Sequence, residues 1–138
     1  MSKAIDRLHA VLQKGMAERP AVGGFPYLAE ALRQAGVRRN IWILPACQSL
    51  YLTELGPVVI PGSPLIGAMA EVPPFDPEAL ITALRTNQAG QSSFPDFLED
   101  AWKAGVVRYE VDFAGRTVTY LGPDGEAYVE SYPSVEVK

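Results

Sequence analysis

The sequence predicts a single α+β domain. A unit of two helices and two or three strands occurs twice in it, and a mainly antiparallel sheet packs on the helices. Three observations predict this fold. One segment of the chain aligns with a later segment. Apolar residues recur at helical spacing before two glycines, and apolar and polar residues alternate after each glycine. Residues 25–60 align without a gap on residues 94–129. We therefore expect repeat one at about 3–60, a connection at about 61–75 and repeat two at about 76–138.

Each repeat begins with two predicted helices. In repeat two, Ser93 can cap a helix that has Pro95 in its first turn and ends at Gly105, where glycine allows a left-handed backbone. An Asp-Pro-Glu start at residues 76–78 marks the helix before it. In repeat one, the corresponding helices are predicted at residues 5–16 and 25–35.

The predicted strands follow the glycines. After Gly105, apolar residues alternate with Arg108, Glu110 and Asp112, as in a strand that is buried on one face and has these three residues outside. A two-residue turn at Ala114-Gly115 is predicted to pair this strand with the next one, with Tyr109 opposite Tyr120.

A second turn leads into a predicted strand at residues 126–132. In that strand we expect Ala127 and Val129 to face inward. The outward residues would be Tyr128, Glu130 and Tyr132. Residues 135–137 are predicted as a last short strand.

The same facing, applied to repeat one, places apolar residues on the outer face of the sheet. They are Ile41, Ile43, Leu50 and Leu52. A continuous apolar patch is seldom left exposed, so we expect it to be covered by the connection from Pro61 to Pro74, by a second subunit, or by a ligand or other partner. A homodimer through these four residues is therefore one prediction. The connection also holds apolar residues that could form an extra strand, which leaves the strand order open.

The composition argues against several kinds of partner and site. A net charge of −4 and a pI near 5.0 speak against nucleic acid and anionic membranes, which bind basic surfaces. No apolar run is long enough to span a bilayer and the first residues resemble no signal peptide, so a cytoplasmic location is expected. Because the chain has one cysteine, Cys47, and one histidine, His9, no zinc site is predicted, and the sequence indicates no cofactor.

Cys47 is the first candidate for chemistry. A cysteine nucleophile needs a neighbouring base or a lowered pKa, and nothing in the sequence brings His9, on the first helix, close to it. We interpret Cys47 as a small residue in the turn between two strands.

Charged residues around the predicted hairpin are the second candidate. Two cations and two carboxylates lie there, namely Arg108, Glu110, Asp112 and Arg116. Paired carboxylates could act as acid and base or bind a ligand. The interpretation we favour is a solvated ladder, in which each cross-strand pair contributes under about 1 kcal/mol.

Two further candidates concern recognition. Tyr128 and Tyr132 would form an aromatic strip on the outer face, which serves either recognition or plain strand formation. Arg39 and Arg108 correspond in the self-match, and they could point together into a cleft between the repeats and hold an anion.

Three segments of repeat two resemble a bacterial family of unknown function. They are Ser93-Phe94-Pro95-Asp96-Phe97, the stretch from Ala104 to Phe113, and Arg116-Thr117-Val118-Thr119-Tyr120. The resemblance is strongest from Asp76 onward and looser in repeat one. Some members of that family are labelled phage envelope protein, and the resemblance implies no activity and no catalytic residue.

These observations favour a non-enzymatic binding or interaction module that uses its sheet face. The alternative is a small-molecule enzyme or sensor with a pocket between the two repeats, in which Arg39 and Arg108 bind the ligand. The family label adds a third hypothesis, a phage-related structural or accessory protein. The identity of any small-molecule ligand does not follow from the sequence.

Overall fold

The structure, a computed structural model, describes residues 2–137 of the 138-residue chain. These residues form four helices and six strands. The helices are α1 (Lys3–Glu18), α2 (Gly24–Gln34), α3 (Pro77–Gln88) and α4 (Phe94–Lys103). The strands are β1 (Val37–Ile43), β2 (Gln48–Thr53), β3 (Gly56–Ile60), β4 (Arg108–Asp112), β5 (Thr117–Leu121) and β6 (Ala127–Ser131).

All six strands belong to one antiparallel sheet with the order β3-β2-β1-β4-β5-β6. The predicted α+β class is therefore confirmed. β1 and β4 pair at the centre, so each half of the chain supplies three adjacent strands. The hydrophobic core joins residues of all four helices to one face of the sheet, which we call the inner face. The opposite face is called the outer face.

Local signals explain where two helices begin. The Ser93 hydroxyl accepts a hydrogen bond from the backbone N–H of Asp96 at 3.2 Å. The Asp76 carboxylate accepts one in the same way from the backbone N–H of Ala79 at 3.1 Å. Both helices have a proline in the first turn, where a missing N–H costs no intrahelical bond. The predicted starts of α3 and α4 are confirmed.

The two halves of the chain have the same element order: helix, helix and three strands. Gly36 and Gly105 each lie between the second helix and the sheet, with φ of 88° and 86°. Cys47 and Arg116, which correspond in the self-match, both have positive φ in the following turn, 51° and 53°. These agreements support one plan for both halves, while a duplicated ancestral unit remains a prediction.

The centre of the sheet has the same pseudo-symmetry. Arg39 of β1 lies opposite Asp112 of β4, and Ile43 of β1 lies opposite Arg108 of β4. In the self-match, Arg39 corresponds to Arg108 and Ile43 corresponds to Asp112, so the two pairs are equivalent. A pseudo-twofold axis therefore passes between β1 and β4 at the level where Ile41 lies opposite Glu110.

A row of aromatic rings crosses the inner face and joins the two halves. Trp42 contacts Phe94 of α4 and stacks on Tyr109, with ring centroids 5.4 Å and 6.1 Å away. The row continues from Tyr109 to Tyr120 at 5.6 Å and to Tyr128 at 6.5 Å. Ring contacts at these distances stabilise beyond the area that they bury. Trp42 therefore packs against the core.

The pseudo-symmetry fails at the third strand, and the predicted facing of β6 is wrong. Tyr128 pairs with Tyr120 on the inner face, whereas Val129 pairs with Thr119 and is 58% exposed on the outer face. Residues 54–55 join β2 to β3, but residues 122–126 join β5 to β6. This loop shifts β6 by one residue relative to β3, and a shift of one residue turns every side chain to the other face.

Two other details of the predicted strands are also wrong. The turn between β4 and β5 contains residues 113–116 instead of two residues, because Arg116 takes a positive φ and the Asp112 carboxylate accepts the N–H of Gly115 at 3.1 Å. Residues 135–137 form no strand. After β6, the chain turns toward the helices, where the ring of Tyr132 contacts Phe25 at 5.2 Å.

The connection between the halves crosses one end of the sheet. The N–H groups of Leu65 and Ile66 donate to the carbonyl of Pro45 at 2.8 Å and 3.3 Å, and the N–H of Asp76 donates to the carbonyl of Ala104 at 2.7 Å. Within residues 61–76 the structure has no strand, so the extra strand considered for this segment is not formed.

Candidate functional site

The outer face carries most of the candidate residues, and the strand register arranges them in rows. The middle row contains Val59, Leu50, Ile41, Glu110, Thr119 and Val129, in order from β3 to β6. We call Ile41, Ile43, Leu50, Leu52 and Val59, on β1 to β3, the apolar half. The polar half, on β4 and β5, comprises Arg108, Glu110, Asp112, Thr117 and Thr119.

The apolar half is open to solvent in the described chain. Ile43 is 39% exposed and Val59 is 53% exposed. The strand residues of the core all lie on the inner face, and none of the five residues of the apolar half belongs to the core or packs against it. The connection hydrogen-bonds at the sheet end and leaves Ile43 and Val59 exposed, so it does not cover the patch. The predicted outward facing is confirmed, and Val59 adds a residue that the sequence interpretation missed.

The charged residues of the outer face are exposed or partly exposed to solvent. Arg39 Nη2 lies 3.6 Å from Asp112 Oδ2, and these side chains are 53% and 35% exposed. Glu110 lies opposite Thr119 on β5, as predicted. Exposed pairs of this kind contribute at most about 1 kcal/mol because water screens them. The arrangement agrees with a solvated ladder, and Arg116 is an exposed turn residue beside it.

Arg39 and Arg108 do not converge. Arg39 lies opposite Asp112, which is four residues along β4 from Arg108, so the two arginines are separated by about 13 Å at the usual rise of a strand. Both lie on the open outer face and are exposed. The predicted anion cleft between the repeats is therefore not formed by this geometry.

Tyr128 and Tyr132 lie on the helix side of the sheet, which corrects the predicted outer strip. Tyr128 packs on Tyr120, and Tyr132 packs edge-on against Phe25 at the start of α2. Burial raises the pKa of Tyr132 to about 12 and raises the pKa of Tyr120 as well. Next to Tyr128, the Glu130 carboxylate forms an ion pair with Arg85 of α3. These tyrosines pack in the molecule instead of facing a partner.

One charged cluster on the inner side was not predicted. Both carboxylate oxygens of Glu30 accept hydrogen bonds from Arg33, at 2.8 Å and 2.7 Å, and Gln34 donates a third at 3.0 Å. The Arg33 hydrogen bond is the main cause that lowers the pKa of Glu30 to about 2. The spacing of Glu30 and Arg33 on α2 was the available signal. Since every acceptor is satisfied within α2, we interpret the cluster as structural.

The other candidates for chemistry remain apart. Cys47 lies in the β1–β2 turn, as predicted, with its sulfur 3.5 Å from the carbonyl oxygen of Leu44, while His9 is an exposed residue of α1. No group of three His, Cys, Asp or Glu residues suited to a metal ion occurs among residues 2–137. A groove of about 390 Å³ is lined by residues of α1 and α2 together with Val137, and neither Arg39 nor Arg108 lines it.

The described part of the chain contains no helix that is both long and apolar enough to cross a membrane. Fold and surface together define an α+β domain with helices on one face of an antiparallel sheet and an open, half-apolar face on the other.

The chain belongs to a family described as protein of unknown function (DUF1398), whose model matches residues 18–131. It is 56% identical over 136 residues to the uncharacterized proteins Mb2035 of Mycobacterium bovis and Rv2012 of Mycobacterium tuberculosis. The match covers 99% of this chain and 83% of each relative. The predicted family of unknown function is thereby confirmed, and none of these names carries the phage envelope label.

Proposed function

We propose that this protein is a non-enzymatic interaction module whose outer sheet face binds a protein surface in the cytoplasm. The observation that supports this proposal is the exposure of Ile43 and Val59 beside three further aliphatic residues on the same face. Apolar residues grouped on one open face favour a contact, because large contiguous apolar patches on monomeric proteins commonly mark binding surfaces. The charged residues beside it would then give the contact its register.

The edges of the sheet support a contact through the face. β3 has Pro57 near its start, and β6 has Glu130 pointing inward to Arg85, with Pro133 two residues after the strand ends. Proline and inward charges are devices that keep edge strands from pairing with other chains. The face, in contrast, has no such protection on its apolar half.

A small-molecule enzyme or sensor is the weaker alternative. It requires a pocket between the halves, but Arg39 and Arg108 lie far apart on an open surface. Electrostatic catalysis is most effective where water is excluded, and the carboxylates of Glu110 and Asp112 are partly exposed. The phage-related role stays a prediction, because it rests on the family label and on no feature of this geometry.

Cysteine labelling in living bacteria tests whether the face is occupied. In a Cys47→Ser background, we compare Ile43→Cys with Met16→Cys, because Met16 on α1 is 47% exposed and Ile43 is 39% exposed. A membrane-permeant maleimide should label the Met16→Cys variant quickly and the Ile43→Cys variant several times more slowly. After unfolding in urea, both variants should react equally fast.

Equal labelling of the two folded variants in cells would contradict the proposal, since it would show a face that stays free. Circular dichroism spectra of both variants check that the cysteine substitutions leave the fold intact. Leu52→Cys provides a second position in the apolar half for the case that Ile43→Cys disturbs β1.

A further inference from the structure

We infer that the partner of the outer face is a second copy of this chain, packed face to face about a twofold axis that runs across the strands. This inference rests on the proposed function, because it names the occupant of the same surface. The axis lies parallel to the sheet along the middle row, so that each strand faces its own counterpart in the second copy. Ile41 then faces Ile41, and Thr119 faces Thr119.

The first argument is the match of apolar surfaces. An axis across the strands leaves the order of the strands unchanged, so the apolar half of one copy covers the apolar half of the other. A central axis along the strands would instead place Ile41 on Glu110 and Ile43 on Arg108 of the second copy. Burying charges against isoleucine is costly because the charges lose their hydration. The axis along the strands does this with both Glu110 and Arg108, whereas the axis across the strands does it with Arg39 alone.

The second argument is charge complementarity. The outer face carries two cations, Arg39 and Arg108, and two carboxylates, Glu110 and Asp112, so its charges sum to zero. The axis reverses the strand direction, and Arg108 therefore faces Asp112 of the second copy, while Asp112 faces the second copy's Arg108. Packed sheets lie about 10 Å apart, a gap that an arginine and an aspartate can bridge from opposite sides.

The third argument is area. Six strands spaced by about 4.8 Å, with at least five residues each and a rise of about 3.4 Å per residue, give a flat footprint of roughly 500 Å². Stable dimers bury about 800 Å² of accessible surface on each partner, and a surface of protruding side chains exceeds its flat footprint. A contact over the whole face approaches that size, whereas an axis within the apolar half would engage only about half of it.

Two contacts in this arrangement are unfavourable. Arg39 faces Ile43 of the second copy, although it keeps its pairing with Asp112 of its own chain at 3.6 Å. Glu110 lies on the axis, and it therefore meets Glu110 of the second copy. Like charges that face each other weaken association. Glu110→Gln should consequently tighten the dimer.

Sedimentation of the purified chain, from micromolar to near-millimolar concentration, measures the association. We expect a reversible dimer, with the dissociation constant raised about tenfold or more by Arg108→Asp and lowered by Glu110→Gln. Lys14→Asp, on the exposed side of α1, is the matched charge reversal and should leave the dissociation constant unchanged.

Cross-linking tests the axis itself. In the Cys47→Ser background, Val59→Cys and Thr119→Cys each lie on the middle row, so a short bis-maleimide should join two copies of either variant. A central axis along the strands would put Val59 opposite Val129 of the second copy and leave both single-cysteine variants uncoupled.

The outcomes separate this inference from the proposed function. A purified chain that stays monomeric, with Ile43→Cys still protected in cells, overturns the second copy as partner and leaves the interaction surface standing. A dimer without either cross-link, and without a response to Arg108→Asp, overturns the axis. Unprotected Ile43→Cys in cells together with a monomer overturns both.

Discussion

At the scale of the residue, Gly36 and Gly105 share a backbone conformation but have different surroundings. A Cβ on Gly36 would lie 2.5 Å from the Cδ of Glu54, which is an exposed and flexible side chain. A Cβ on Gly105 would lie 2.6 Å from both the Cα of Phe75 and the carbonyl oxygen of Pro74. Backbone atoms cannot move aside as a side chain can, so the second position tolerates less.

We therefore expect Gly105→Ala to destabilise by about 2–4 kcal/mol and Gly36→Ala by about 1–2 kcal/mol. The difference arises from the clash, because the penalty for positive φ is common to both. Gly125→Ala is the control for that penalty alone, since Gly125 has φ of 86° and no atom within 4 Å of the added Cβ. Urea unfolding measures all three, and equal costs at Gly36 and Gly105 would refute the argument.

The stabilisation contributed by Glu30 depends on pH. Its pKa is lowered to about 2, chiefly by the hydrogen bond from Arg33. A carboxyl whose pKa is lower in the folded state stabilises the fold above its unfolded value near 4.5, and that stabilisation is lost as the pH falls toward 2. Arg33 is half exposed, so screening by water limits the contribution to about 1–2 kcal/mol.

Glu30→Gln should thus lower the free energy of unfolding by about 1–2 kcal/mol at pH 7, and the difference from the wild type should vanish between pH 4.5 and 2. Thermal unfolding at several pH values measures it. Glu99→Gln on α4, the counterpart in the self-match and an exposed residue, should show no such loss. A pH-independent effect of Glu30→Gln would mean that the charge is not what stabilises.

At the scale of the element, β6 shows that an alternating pattern does not by itself determine which residues face the core. Its side chains alternate between the two faces, and the longer loop before the strand turns Tyr128 inward. The larger apolar area of a tyrosine ring favours this facing, because more surface leaves water than with alanine or valine.

The facing of β6 can be checked by one pair of substitutions. Tyr128→Thr should cost about 2 kcal/mol or more, since it removes a ring that packs on Tyr120. Val129→Thr should change stability by less than about 0.5 kcal/mol, because Val129 is 58% exposed and threonine has nearly its shape. Unfolding in urea at low protein concentration avoids effects on association. The reverse order of costs would restore the facing expected from the sequence.

At the scale of the whole molecule, the two faces of one sheet differ in character. The inner face holds the halves together through the row from Trp42 to Tyr128. The outer face combines an apolar half from the first half of the chain with a polar half from the second. This asymmetry is possible because the residues that keep the fold lie on the inner face and at the turns, which leaves the outer positions free to differ.

The sequence by itself determined the features that depend on nearby residues. Helix starts at Asp76 and Ser93, helix ends at Gly36 and Gly105, and the pairing of β4 with β5 follow from caps, positive φ and alternation, which act over a few residues. The outward facing of Ile41 and Ile43 followed by comparison of the two repeats.

Only the tertiary structure decided the features that depend on register and distance. The meeting of β1 and β4 at the centre, the separation of Arg39 from Arg108, and the inward turn of Tyr128 each arise from pairings between residues far apart in the chain. Local patterns hold no information on which strand edges pair, and a shift of one residue in the register turns a side chain to the other face. The inner charge pair of Glu130 and Arg85 is a consequence of that same shift.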